Sequence, residues 1–319
     1  MSIFDKMPDL RPRKGPGAGT LRKRTPRDDK GRYELATLLL DNEKDSAISY
    51  LEAAANDNHA ASLDLLGMLY AVGEVVEKDP KRAFSYFKKA ATLGDTNGKY
   101  HYAMALREGF GCKSNPETSF AWLRMAAKDG QPEAMFSVAQ TLEKGFGTQK
   151  DQKQAEFLFA SAAKEGHREA ICRQIEHFLN GPNINFREAS RWIKLAASED
   201  IPVGMLTYAR QILESPSPDV IQAITLLERA VSIGDVLSMC ELAWLWKDGL
   251  FTKKDMVQAI VYAHMASSNN HLNAKKWLEE WRAEADADTL MQVIEIISLG
   301  NREEIIRTLR LRQETLSLI

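Results

Sequence analysis

Gly109-Phe110-Gly111-Cys112-Lys113-Ser114 is the stretch of this 319-residue chain that comes nearest to a chemical motif. Glycines beside a lysine and a serine could cradle a phosphate, because backbone N–H groups and an ammonium then converge on one anion. The spacing argues against it. A phosphate loop needs GxxxxGK[ST] after a strand, and here the glycines follow a helical pattern. Gly145-Phe146-Gly147 repeats the turn 36 residues later without the lysine, so these glycines serve architecture. The six histidines, His59, His101, His167, His177, His264 and His271, form no HExxH and no clustered metal spacing. Glu279-Glu280 and Glu303-Glu304 fall on polar helical faces, where carboxylates are simply solvated. Cys112, Cys172 and Cys240 are odd in number and lack paired spacing, which suits thiols in a reducing compartment. No nucleophile–base pair emerges either. The residues point to a protein without catalysis, metal or cofactor.

The elements that would position any site come in copies. Residues 131–166 read as one helix–turn–helix unit. Its first helix, A, runs from about Pro132 to Lys144, with Ala134, Met135, Val138, Ala139 and Leu142 on one face. Gly145-Phe146-Gly147 breaks it. The second helix, B, runs from about Gln152 to Glu165. Ala155, Leu158, Phe159, Ala162 and Ala163 form its stripe, and Gly166 is its cap. Neither helix can bury its stripe alone, so the unit needs neighbours.

The turn glycine recurs as Gly73, Gly109, Gly145, Gly181 and Gly249, with Ser215 in the remaining slot, at steps of 36, 36, 36, 34 and 34. A small pair inside helix B recurs as Ala90-Ala91, Ala126-Ala127, Ala162-Ala163, Ala196-Ala197, Ala230-Val231 and Ala266-Ser267. Four residues before each pair stands a large residue: Tyr86, Trp122, Leu158, Trp192, Leu226, Tyr262. Four residues after its first member stands a C-cap type: Gly94, Gly130, Gly166, Asp200, Gly234, Asn270. Independent landmarks that keep step over six two-helix units predict an α-solenoid.

Leu66-Gly67-x-x-Tyr70-x-x-Gly73, Gly109-Phe110-Gly111 and Ala83-x-x-Tyr86-x-x-x-Ala90-Ala91-x-x-Gly94 carry a resemblance. The pattern is similar to the Sel-one-like repeats, relatives of the tetratricopeptide repeats. It covers roughly residues 31–285 and departs at Ile175, at Ser215 and in the shorter loops of the fourth and fifth units. The fold expected is all-α, a right-handed α-solenoid superhelix of about seven helix–turn–helix repeats with C-terminal capping helices. The resemblance also implies adaptor work in bacteria, with A helices lining an inner groove and B helices forming an outer wall.

Three regions are expected. Residues 1–30 hold Pro8, Pro12, Pro16 and Pro26 with Gly15, Gly17 and Gly19, which forbid continuous helix and mark a disordered arm. Nine Lys/Arg stand there against four Asp, a net +5. Residues 31–285 form the repeat array, opening on a shortened unit at 31–58. Residues 286–319 supply two capping helices whose Leu290, Val293, Ile294, Ile297, Ile305, Ile306 and Leu309 cover the last hydrophobic face. With 44% hydrophobic and 27% charged residues, the composition is that of a soluble protein. A net charge of −2 gives the whole molecule no bias toward nucleic acid or membrane. No run of about 18 apolar residues exists, and no apolar stretch follows the N-terminal charges, so a cytoplasmic protein is expected.

The functional lead is the inner face of the A helices. Positions nine, five and two before the turn glycine should face the groove. They bring Met68, Tyr100, Met104, Phe136, Leu206 and Trp244 as large apolar residues, and Arg107, Gln140, Glu143, Glu176, Arg210 and Lys247 as polar ones. Two readings stand open. Successive A helices sit close and these residues pack between them, or the groove holds a peptide or partner helix on apolar anchors with charges setting register. A second class of function rests on the arm, where Arg11, Arg13, Lys14, Arg22, Lys23, Arg24 and Arg27 would bind nucleic acid or an anionic surface.

Overall fold

A computed structural model describes residues 29–40, 42–145, 148–181 and 184–317, with side chains as far as residue 313. These residues form seventeen α-helices and no strand. They are α1 (Asp29–Leu39), α2 (Lys44–Asn56), α3 (Ala60–Val72), α4 (Pro80–Thr92), α5 (Thr96–Glu108), α6 (Pro116–Lys128), α7 (Pro132–Lys144), α8 (Gln152–Lys164), α9 (Arg168–Asn180), α10 (Phe186–Ser198), α11 (Pro202–Leu213), α12 (Val220–Ile233), α13 (Val236–Asp248), α14 (Met256–Ser268), α15 (Leu272–Glu284), α16 (Ala287–Ser298) and α17 (Arg302–Ser317). Odd numbers from α1 to α15 are A helices, and even numbers from α2 to α14 are B helices. Thirteen residues in each helix from α2 to α10 give a common length of about 20 Å, so hairpins stack flush.

Local chemistry sets where the helices begin and end. Asp79, Asp95, Asn115, Asp151, Asn185, Asp219, Asp235 and Asp255 each cap a helix start by accepting from backbone N–H groups two or three residues on. Pro80, Pro116, Pro132 and Pro202 occupy first helical positions, where the missing N–H costs little. Every B helix from α2 to α14 is followed by a residue in the left-handed region: Asn58, Gly94, Gly130, Gly166, Asp200, Gly234 and Asn270. Glycine, asparagine and aspartate are the residues that tolerate this conformation. The A helices are less uniform. Gly73, Gly109, Gly145 and Gly249 are left-handed caps, whereas α11 ends on Glu214 with ordinary helical geometry. That is where Ser215 replaces the turn glycine.

The chain divides into two compact units, one up to Ala170 and one from Ile171. In the first, α1 to α8 pack as consecutive antiparallel hairpins, and α3 also touches the next A helix, α5. Leu35, Leu51 and Leu66 fill one part of the core, and Phe87, Met104, Leu123, Val138 and Phe159 fill the other. The small pair does what its size allows. Ala90, Ala126 and Ala162 are fully buried, and a Cβ added at Gly98 would lie 2.6 Å from the Ala90 Cβ. Helices can approach this closely only over such residues.

In the second unit α10 to α15 continue the same pattern, with Ile193 buried and a core of Met205, Leu227, Met239, Ile260 and Tyr262. The helix expected at 272–284 is α15, and its exposed Glu279 stands where earlier A helices bury a small residue. The last two helices do cover apolar surface, but the surface is on the B side: α16 packs on α14, and α17 on α12. Val293, Ile305, Ile306 and Leu309 are buried there, Leu290 and Ile297 half-buried, and Ile294 faces outward. Ile296 is buried too, although the sequence did not single it out.

Candidate interaction surface

Tight packing of successive A helices decides the fate of the expected inner-face residues. In the first unit Met68, Tyr100 and Met104 are buried between α3, α5 and their neighbours, and Met104 is wholly inaccessible. Burial pushes the Tyr100 hydroxyl up to about 12. In the second unit Leu206 is buried as well. These four residues therefore belong to the core of their units. Phe136 is half-buried, its ring stacked on His167 at 4.2 Å and edge-on to Phe159 at 5.3 Å. Arg107, Gln140 and Glu143 are half-exposed beside it on α5 and α7, and Glu176 is exposed on α9.

The charged positions are partly engaged within the molecule. Arg210 on α11 donates through Nε and Nη2 to Glu241 on α13, at 3.1 and 2.6 Å. Lys247 on α13 pairs with Glu284 on α15, which holds that carboxyl below the usual range. In the first unit Asp64 on α3 meets His101 Nδ1 on α5 at 2.7 Å. Each pair links one A helix to the next, so the A wall is stitched by electrostatics over its packed seam. The most exposed of these, Arg210–Glu241, is of the kind that contributes about 0.2–1 kcal/mol, so packing dominates there.

What stays open on the A wall is concentrated in the second unit. Trp244 is 38% exposed and meets Trp277 and Trp281 edge-on, with ring centroids 5.3 and 5.1 Å away. Trp277 and Trp281 stack nearly parallel, and the Lys247 ammonium lies 5.4 Å from the Trp281 ring. His271 lies 5.7 Å from Trp277. Trp281 is buried and forms the floor, so exposed Trp244 and half-buried Trp277 make the ledge that can take aliphatic, aromatic or cationic side chains. Sequence reasoning found Trp244 and Lys247 and missed Trp277 and Trp281. Their i, i+4 spacing on α15 was the available signal. The arm residues Arg11, Arg13, Lys14, Arg22, Lys23, Arg24 and Arg27 lie outside the described residues.

Among the described residues no group of His, Cys, Asp or Glu is placed to hold a metal ion. No described helix is long and apolar enough to cross a membrane. Cys240 is buried, and its thiol is pushed up to about 11, which keeps it protonated and unreactive at neutral pH. Cys112 is half-buried, and burial raises its thiol too.

The Sel1 repeat model matches residues 60–95, 97–131, 132–167 and 236–271. The stretch 168–235, with Ile175 and Ser215, lies between matches. Two solved structures share the fold. A protective antigen of uropathogenic Escherichia coli with an SLR fold superposes with a TM-score of 0.68 at 20% identity, over 88% of this chain and 63% of that one. This chain thus spans less than two thirds of that antigen. A Sel1 repeat protein from Oxalobacter formigenes superposes with a TM-score of 0.64 at 21% identity, over 79% of this chain and 75% of that one. No curated protein matches the sequence. Sel1 repeats generally serve as protein–protein interaction modules and are typically non-enzymatic scaffolds. With the hairpins, the left-handed caps and the matched stretches taken together, this chain carries four Sel1 repeats in an all-α repeat fold.

Proposed function

We propose that the protein is a cytoplasmic, non-catalytic adaptor that holds a peptide or helix of another protein against its A-helix wall. The observation that carries the reading is the exposed indole of Trp244 beside half-buried Trp277, both seated on buried Trp281, with Lys247 over that ring. Tryptophan-rich, partly desolvated patches are where interfaces concentrate their affinity, and truncating one such anchor costs about 2 kcal/mol or more. The first unit by itself offers a smaller and more polar patch of Phe136, Arg107, Gln140 and Glu143.

The test is affinity purification from the native cell, with wild type beside Trp244→Ala and Phe136→Ala. A partner held by wild type and lost from Trp244→Ala, with helical circular dichroism unchanged, supports the ledge. Equal capture by both variants and wild type ends it. A second reading rests on the +5 arm of residues 1–30, which would bind nucleic acid or an anionic surface. It requires binding that weakens steeply with salt and disappears when residues 1–28 are deleted.

A further inference from the structure

The second unit displays what this chain does with a B-helix wall: it lays a helix over it. α17 sets Ile305, Ile306 and Leu309 into the core. It also brings Arg310 onto the carboxylate of buried Glu228, whose other oxygen accepts from the Tyr262 hydroxyl at 3.2 Å. Two and three residues on, Arg312 pairs with Asp255, and Gln313 donates to Gln258 at 3.1 Å. The receiving residues hold fixed places in the repeat. Tyr262 stands four before its small pair, and Glu228 stands two before its own.

The first unit carries the same two places with no helix packed across α4, α6 and α8 among the described residues. Four before each pair stand Tyr86, Trp122 and Leu158, all half-buried. Two before, where the second unit has Glu228, stand exposed Lys88 and Arg124. Met125 and Phe157 add apolar surface, 47% and 69% exposed. Together the three helices hold eight cations against two carboxylates. The wall is therefore an aromatic and aliphatic ledge edged with positive charge.

We propose that the B-helix wall of the first unit docks an acidic amphipathic helix of another protein, laid over α4 and α6 as α17 is laid over α12, its carboxylates meeting Lys88 and Arg124. The charge inversion between Glu228 and Lys88/Arg124 selects the sign of the partner. It also excludes the chain's own N-terminal arm, whose net +5 is repelled by this wall. This surface is built from B helices and shares no residue with the indole ledge, so the proposal stands or falls independently of the function proposed above.

The probe is a fluorescent synthetic peptide of residues 301–313 carrying Arg310→Glu and Arg312→Glu, titrated into the full-length protein by anisotropy. Saturable binding is expected. It should weaken by at least about tenfold for the unaltered peptide and for the protein variant Lys88→Glu/Arg124→Glu. Lys88→Gln/Arg124→Gln, with circular dichroism as a check on folding, separates lost charge from lost structure. Trp122→Ala tests the apolar half and should also weaken binding. Absence of saturable binding, equal affinity for the two peptides, or equal affinity of the charge variants and wild type would overturn the proposal. Binding of a uridine oligonucleotide in the absence of peptide binding would overturn it too, and would make the wall a polyanion site.

Discussion

The two units are built on one hairpin plan and differ in how they finish their outer walls. In the first, Tyr86, Trp122 and Leu158 stand half-buried among cations on B helices that nothing described covers. In the second, two of the three residues at the same register, Leu226 and Tyr262, are sealed under α17 and its neighbour α16, and Trp192 stays half-buried. The interior rule is shared: small residues where helices touch, large ones in the hollows. The exterior is free to vary because repeat stacking makes no demand on it. One sequence thus contains both the closed and the open version of the same wall.

The sharpest break of that comparison is Leu309→Ala beside Trp122→Ala. Leu309 is fully buried, so its truncation should cost about 3 kcal/mol in chemical denaturation, whereas half-buried Trp122 should cost about 1 kcal/mol. Equal losses would mean that the first unit's wall is covered after all. Next come Gly98→Ala and Gly204→Ala, one in each unit, whose new Cβ atoms would fall 2.6 and 2.2 Å from the Cβ atoms of Ala90 and Ala196. Both should lose about 2 kcal/mol, because the interior rule is common to both units.

Proton linkage should separate the units by sign. Burial raises the Glu228 carboxyl above its ordinary value, and Arg310 works against that. A raised carboxyl contributes stability that is present below its unfolded value and lost as pH rises through the folded one. Arg310→Ala lifts Glu228 further, so its cost of about 1 kcal/mol at pH 7 should shrink toward pH 5 in urea unfolding.

His167 does the reverse. Burial lowers it, Glu169 and Glu133 notwithstanding, and its Nδ1 accepts the Ala170 N–H at 3.2 Å, which only the neutral ring can do. A lowered histidine contributes stability present above its unfolded value and lost as pH falls. Between pH 7.5 and 5.5 the amides of α7 and α8 should lose about 0.5 kcal/mol of hydrogen-exchange protection, and His167→Asn should remove that loss while keeping a cap.

The repeat frame was legible because its landmarks are local. A left-handed cap demands Gly, Asn or Asp, and a helix crossing demands Ala, so Asn58, Asp200 and Asn270 could be read beside the glycines. Ser215 likewise announced the altered end of α11. Burial of the A wall was not legible, because Met68, Tyr100, Met104 and Leu206 depend on the spacing between successive hairpins, and no single helix pattern encodes that distance. The indole ledge was half legible for the same reason: Trp244 lies on one hairpin and Trp277 and Trp281 on the next. The path of α17 escaped entirely. Its apolar residues reveal that it must be buried, and nothing in the pattern of α12 showed that Glu228, beside Arg229, is the buried acid that receives it.

The left-handed residue that closes every B helix has a further consequence. It makes each joint self-contained, since the turn is satisfied by one residue's own backbone preference whatever hairpin follows. A gene encoding such a chain can duplicate or delete whole modules at these joints and still yield a foldable product, much as links are added to or taken from a bracelet. Evolution can then lengthen the molecule without redesigning any clasp.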